Sequence, residues 1–270
     1  MKQPHFLKQT AALTLALGAL AEPAFAVTNI DKCQSINKPG SYLLTKGLEL
    51  LPPENGCFTI TADNVTLDLG GHTLRGNHAH LGTPADFAVF ARGHDETIGG
   101  VSLQTPLLKT TVRNGFIVDF ADGLRLDNTV GAVVENLNVK VNDGDGIHLG
   151  KGAAILHVQA MQNDGFGLVA GIGAYVNDVD IQSNGKDGLV VGEGSEVYNA
   201  SSSFNAGRGI VVAKGYPGVL FRPSKIRGST AEGNQGNGID AVCSTTLSDN
   251  NTGRFLATAE KLCPYTWTIS

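Results

Sequence analysis

Bulky side chains and charges are scarce in this 270-residue chain: aromatic residues make up 6% of it, with one tryptophan, and Asp, Glu, Lys and Arg together 17%. So few large side chains cannot fill the thick core of a helical bundle, and the shortage favours thin, repetitive β structure. A basic surplus is also missing. The formal net charge is −5, which leaves no footprint for a phosphate backbone and excludes nucleic acid as a partner. Beyond residues 11–21 no stretch approaches the roughly 20 apolar residues of a membrane helix, so no membrane span is expected. Cysteine is absent between Cys57 and Cys243. Disorder is excluded by the 41% of hydrophobic residues. In surplus is glycine, at 35 residues, about twice the usual share of roughly 7%; such a chain turns often.

The first residues read as a leader. Lys2 and Lys8 precede the apolar run, and Ala24-Phe25-Ala26 is a small-x-small cleavage site, so residues 1–26 are expected to be a secretory signal peptide and the mature chain to start near Val27. Loss of Lys2, Lys8 and Glu22 takes the net charge from −5 to −6. The expected destination is the periplasm or the medium. In an exported protein the even set Cys33, Cys57, Cys243 and Cys263 predicts disulfides, and pairing Cys33 with Cys57 and Cys243 with Cys263 is one of three connectivities. A cysteine metal site would need close C-x-x-C spacing, which is absent.

Self-similarity dominates what remains. A Gly followed by Leu or Ile recurs at Gly123, Gly146, Gly167, Gly188, Gly209 and Gly238, at intervals of 23, 21, 21, 21 and 29. Four residues before these glycines stand Asp119, Asn142, Asn163, Asn184, Asn205 and Asn234, and a second column reads Asn114, Asn136, His157, Asp178 and Asn199. Short β-type segments lie between the columns, such as Leu168-Val169-Ala170 and Leu189-Val190-Val191, whose first and third residues point inward at period two. No such unit can bury its own apolar face. Stacked at about 4.8 Å, the units form parallel sheets around a narrow core. The fold class is all-β, a right-handed parallel β-helix of about 21 residues per coil with capped ends. Both columns read as turn architecture, an Asn at each bend bonding its neighbours and tolerating left-handed angles. The expected organisation is a cap at 27–56, a β-helix at 57–242 and a second cap at 243–270, with a short helix at 255–262.

The stretch from Ala62 through Asp68-Leu69-Gly70-Gly71-His72-Thr73-Leu74, then Val112-Arg113-Asn114-Gly115-Phe116-Ile117 and the Gly-Ile/Leu repeats, resembles the pectate-lyase-like superfamily. Within it, the sequence is most similar to exported β-helix repeat proteins of the carbohydrate-binding and sugar-hydrolase type. The resemblance implies a polysaccharide partner, probed as an acidic one, and a reaction class among lyases, epimerases and hydrolases, or a non-catalytic binding or scaffold role. Lyases of the superfamily share a calcium-binding carboxylate cluster with an Arg or Lys base, hydrolases three acids with a His and an Arg-x-Lys segment, and alginate epimerases an Asp-Pro-His-Asp motif. No complete set is present here. Calcium therefore stays open as a cofactor, and no metal ligands are assigned.

Three groups of residues could carry chemistry. Asp122 and Arg125, with Asp143, Asp145 and His148 one coil later, would stack into a carboxylate pair, a proton-carrying His and an Arg able to neutralise a substrate carboxylate; the bland reading is that Asp-Gly suits any tight bend. Arg208, Tyr216, Arg222, Lys225 and Arg227 lie in or beside an eight-residue excess within 214–228, a basic stretch able to hold an anionic glycan or simply cover the core flank. His72, His78, His80 and His94 crowd the first third, as transition-metal candidates or as a solvated loop.

Overall fold

The computed structural model describes residues 26–50, 56–76, 87–98, 101–213, 223–241 and 245–252. They form a parallel β-solenoid of about 8 turns, with about 22 residues per turn and no helix. Each regular turn has two strands. A short one, such as Leu168–Ala170 or Leu189–Gly192, belongs to a 10-stranded sheet, and a long one, such as Ala154–Met161 or Tyr175–Gln182, to a 14-stranded sheet. Pairing is parallel and in register along both, Leu168 facing Leu189 and Leu189 facing Ile210.

The core follows from period two. Leu124, Ile147, Leu168, Leu189 and Ile210 stack inward from the short strands, opposite Val134, Ile155, Val176 and Val197 from the long ones, all fully buried. The long strand breaks its alternation once. Asn114, Asn136, His157, Asp178 and Asn199 have φ between 50° and 59°, so the chain bends and wraps the core instead of running flat. This left-handed conformation costs an ordinary side chain about 1–2 kcal/mol but is tolerated by Asn and Asp.

The other column is a buried ladder. Asn142 Nδ2 donates to Asn163 Oδ1 (2.7 Å), Asn163 to Asn184 (3.0 Å), Asn184 to Asn205 (2.9 Å) and Asn205 to Asn234 (2.9 Å). The same Oδ1 atoms accept the backbone N–H of the preceding Asn. Asp119 does not belong to it. Val118 pairs with Lys140, which puts Asp119 level with Val141, both at positive φ, and Phe120 level with Asn142. The segment after Asn142 is one residue longer than that after Phe120, which shifted the count from the glycine. Buried Phe120 ends the ladder, its N–H donating to Asn142 Oδ1.

Parallel stacking begins at Val27–Ile30, which pairs with Gly40–Leu44, and Gln34–Ile36 pairs with Phe58–Ile60. Residues 27–50, within the segment expected as a cap at 27–56, carry strands that pair in parallel with the next turn. Cys33 and Cys57 are disulfide-bonded and join two turns. Ser224–Arg227 is likewise a strand, between Glu196–Ser203 and Thr245–Ser248, so Lys225 and Arg227 stand on the sheet rather than in a loop. An antiparallel hairpin, His94–Ile98 with Val101–Thr105, interrupts the winding. The expected leader, Cys243, Cys263, His78, His80, Tyr216, Arg222 and the expected helix at 255–262 lie outside the described residues.

Candidate functional site

Each turn exposes two faces, one over the short strands and one over the bent long strands. On the short-strand face, Arg125 is the register partner of His148, which is followed by Val169, Val190, Val211 and Asp240. Asp122 and Asp145 stand beside this row as the repeat spacing implied. One oxygen of each is committed to the backbone: Asp122 Oδ1 accepts from Asp145 N (2.9 Å) and Asp145 Oδ1 from Phe166 N (2.9 Å). Asp187 Oδ1 does the same for Arg208 N, so an acid here is a recurrent cap of the next turn. Arg125 Nη1 donates to Asp122 Oδ2 (3.0 Å), and His148 Nδ1 lies 3.9 Å from Asp145 Oδ2. Asp143 sits in the same turn, its N–H bonded to Phe120 O.

Of the cations expected to grip a substrate, the described ones, Arg208, Lys225 and Arg227, are matched within the protein. Arg208 donates to both Asp187 (2.7 Å) and Asp240 (2.7 Å); the Asp187 bonds, against partial burial and with help from Asp240, raise its already high pKa. Lys225 Nζ donates to Glu196 Oε1 (2.7 Å), which raises the Lys225 pKa and, with the Tyr198 hydroxyl, lowers that of Glu196. Arg227 donates to Asp249 (3.1 Å).

A groove of about 600 Å³ lies on the other face, along the outer side of the bent sheet. Its floor has two rows. The bend row is Asn114, Asn136, His157, Asp178 and Asn199; two residues later on each strand runs Phe116, Asn138, Gln159, Asp180 and Ser201. The left-handed bend residues run along this groove, and residues on both sides of the bend line it. Neighbouring amides are linked, Asn136 to Asn114 (3.2 Å) and Asn138 to Gln159 (2.6 Å). His157 Nε2 lies 3.5 Å from Asp178 Oδ2, and Asp180 Oδ1 accepts from Gln182 Nε2 (2.6 Å). Asn138 Oδ1 is enclosed without a donor among the described residues. Phe116 is 44% exposed at one end, and near the other Tyr175 and Tyr198 lie on the same face with ring centroids 5.9 Å apart.

The sequence reading set these bend residues aside together with the buried Asn ladder. Two signals separated the columns: the bend column alternates Asn with His and Asp, where a buried ladder stays Asn, and a second polar residue follows it by two. Asp68, on the strand preceding Asn114, shows how firmly the neighbourhood is hydrogen-bonded. Partial burial pushes its carboxyl up, but donors from Gly70 N, Asn114 and Arg113 outweigh burial and hold it below the ordinary value. His72 lies in the adjoining turn, its N–H bonded to Leu69 O, and His94 Nε2 is 3.3 Å from Asp63 Oδ1. Among the described residues no three His, Cys, Asp or Glu side chains form a metal-holding group.

These features define a β-solenoid with a repeating polar groove. The right-handed β-helix region family model matches residues 99–252, and the chain belongs to that family. No curated protein matches the sequence. Among solved structures the fold is similar to the A-module of a mannuronan C-5 epimerase from Azotobacter vinelandii (15% identity, TM-score 0.46, covering 83% of this chain and 57% of that one). It is also similar to the Dettilon tailspike protein (12%, 0.49, 83% and 46%) and to pectate lyase Pel9A (14%, 0.42, 82% and 62%). The chain thus spans roughly half to two thirds of those structures.

Proposed function

We propose that this is an exported β-helix protein that holds a polysaccharide along the groove of its bent sheet. The observation that carries the reading is the pair of polar rows. They present amides, an imidazole, a hydroxyl and carboxylates at one-rung intervals of about 4.8 Å, so a polymer of repeating sugars meets a repeating set of donors and acceptors. Asn, Gln and Asp side chains can each hold two neighbouring hydroxyls of one sugar ring, and exposed Phe116 and Tyr175, the latter beside half-buried Tyr198, offer ring faces for stacking. Export fits the Cys33–Cys57 disulfide, which persists in oxidising compartments such as the periplasm or the medium.

The experiment is titration of the folded protein with oligosaccharides of increasing length, followed by calorimetry. Affinity should rise with chain length up to about the five rungs of the groove and then level off, and Gln159→Ala should weaken it at least tenfold. Absence of binding across neutral, amino and uronic series would refute the proposal.

A second reading, polysaccharide lyase or epimerase chemistry at Asp122, Arg125, Asp143, Asp145 and His148, is favoured by one observation: Arg125 and His148 are adjacent in register, each beside its own carboxylate. In that reading His148 carries the proton and Arg125 faces a uronate, with the basic residues from Arg208 to Arg227 extending the grip. Its test is the absorbance of unsaturated uronides on incubation with pectate, alginate and glucuronan, with and without calcium. An accompanying scan of epimer content would expose an epimerase.

A further inference from the structure

The groove has a sign. Of the ten side chains in its two rows, Asp178 and Asp180 carry negative charge and none is a lysine or arginine. Two guanidiniums flank the rows: Arg113 stands one residue before Asn114 and is committed to Asp68 (2.9 Å) and Glu135 (3.4 Å), and Arg227, the register partner of Tyr198, stands one rung beyond Asn199 and is committed to Asp249 (3.1 Å). His157 is the one other titratable group in the rows, and it faces Asp178. Asp178 and Asp180 lie two residues apart on one strand, so both rows turn acidic at the same rung.

From this we infer that the groove takes an uncharged, hydroxyl-rich glycan and that Asp178 and Asp180 select against uronic-acid polymers. The inference rests on the binding role proposed above and differs from the acidic polysaccharide that the family resemblance implies. Specificity is a difference of affinities, and a like charge placed against the wrong ligand is the direct way to create one. A uronate polymer carries a carboxylate on every residue, so any register along the groove would bring one of them against this rung with no free cation among the row side chains. A neutral glycan meets the same two carboxylates as acceptors for its hydroxyls. The amides of Asn136, Asn138, Gln159 and Asn199 serve either ligand and so set affinity without choosing sign.

The experiment compares three hexamers by calorimetry on the full mature chain: a neutral β-linked hexose, an oligomannuronate and an oligogalacturonate. The expected result is that the neutral hexamer binds at least tenfold more tightly than either uronate and that its affinity changes little with added salt. The double variant Asp178→Asn/Asp180→Asn keeps the side-chain shape and an acceptor; it should raise uronate affinity at least fivefold and so narrow the neutral-over-uronate preference by at least that factor. A uronate that binds the wild type more tightly than the neutral hexamer, or a double variant without gain toward uronates, would overturn the inference and leave the binding role standing. Binding of none of the three would overturn both.

Discussion

At the scale of single residues, one side-chain type does two jobs on opposite sides of the backbone. Asn184 is 2% exposed and makes four ladder contacts, accepting from Asn163 N and Nδ2 and donating to Asn205 Oδ1 and Ala160 O. Asn184→Ala strands these partners in the core and should cost about 3 kcal/mol, the desolvation cost of unmet buried polar groups. Asn199 faces the groove at φ 50°. Asn199→Gly keeps that backbone accessible, so urea melts should show a loss below about 1 kcal/mol beside the large loss at Asn184. Asp68 adds a pH dependence. Its folded pKa is depressed from 3.8, so its contribution to stability is full above that value and is lost as pH falls below it, through the folded pKa. Asp68→Asn should therefore melt below wild type at neutral pH, and the gap should close in acid.

Elements carry the rest of the local logic. The Asn column and the Gly-Ile/Leu strands were legible because buried positions in a solenoid repeat their chemistry turn after turn. The groove was not, because its rows vary from rung to rung and no single residue type marks them. Asp119 was misplaced for a related reason, since a one-residue insertion between Asn142 and Gly146 is invisible when spacing is counted from the glycine. The Asp-Gly turns were read for both chemistry and architecture, and Asp145 can tell these apart. It accepts from Phe166 N at 2.9 Å. Asp145→Asn keeps an acceptor and should leave the melting curve almost unmoved, while Asp145→Ala should cost about 1 kcal/mol, the worth of one hydrogen bond. Turnover lost in both variants with stability lost only in the second would mark a catalytic carboxylate; stability changes alone would mark a turn.

For the whole molecule, stability is a sum over rungs and their interfaces rather than the property of one core. The disulfide Cys33–Cys57 spans 24 residues and ties the short strands of the first turns. Its reduction should remove about 2–4 kcal/mol, and the loss should be local. Hydrogen exchange is expected to quicken at residues 27–60 while Leu168–Ala170 and Leu189–Gly192 remain protected; uniform deprotection would contradict a rung-by-rung solenoid. The solenoid itself could be read from six glycines, but where a ligand lies along it could not, since both faces carry polar side chains, Arg125 and His148 on one and the bend rows on the other. NMR of the side-chain amides settles that point, with a neutral oligosaccharide titrated into labelled protein. The account predicts shifts at Asn136, Asn138 and Gln159 with the His148 ring unmoved; shifts confined to His148 and the Arg125 guanidinium would place the ligand on the opposite face and contradict it.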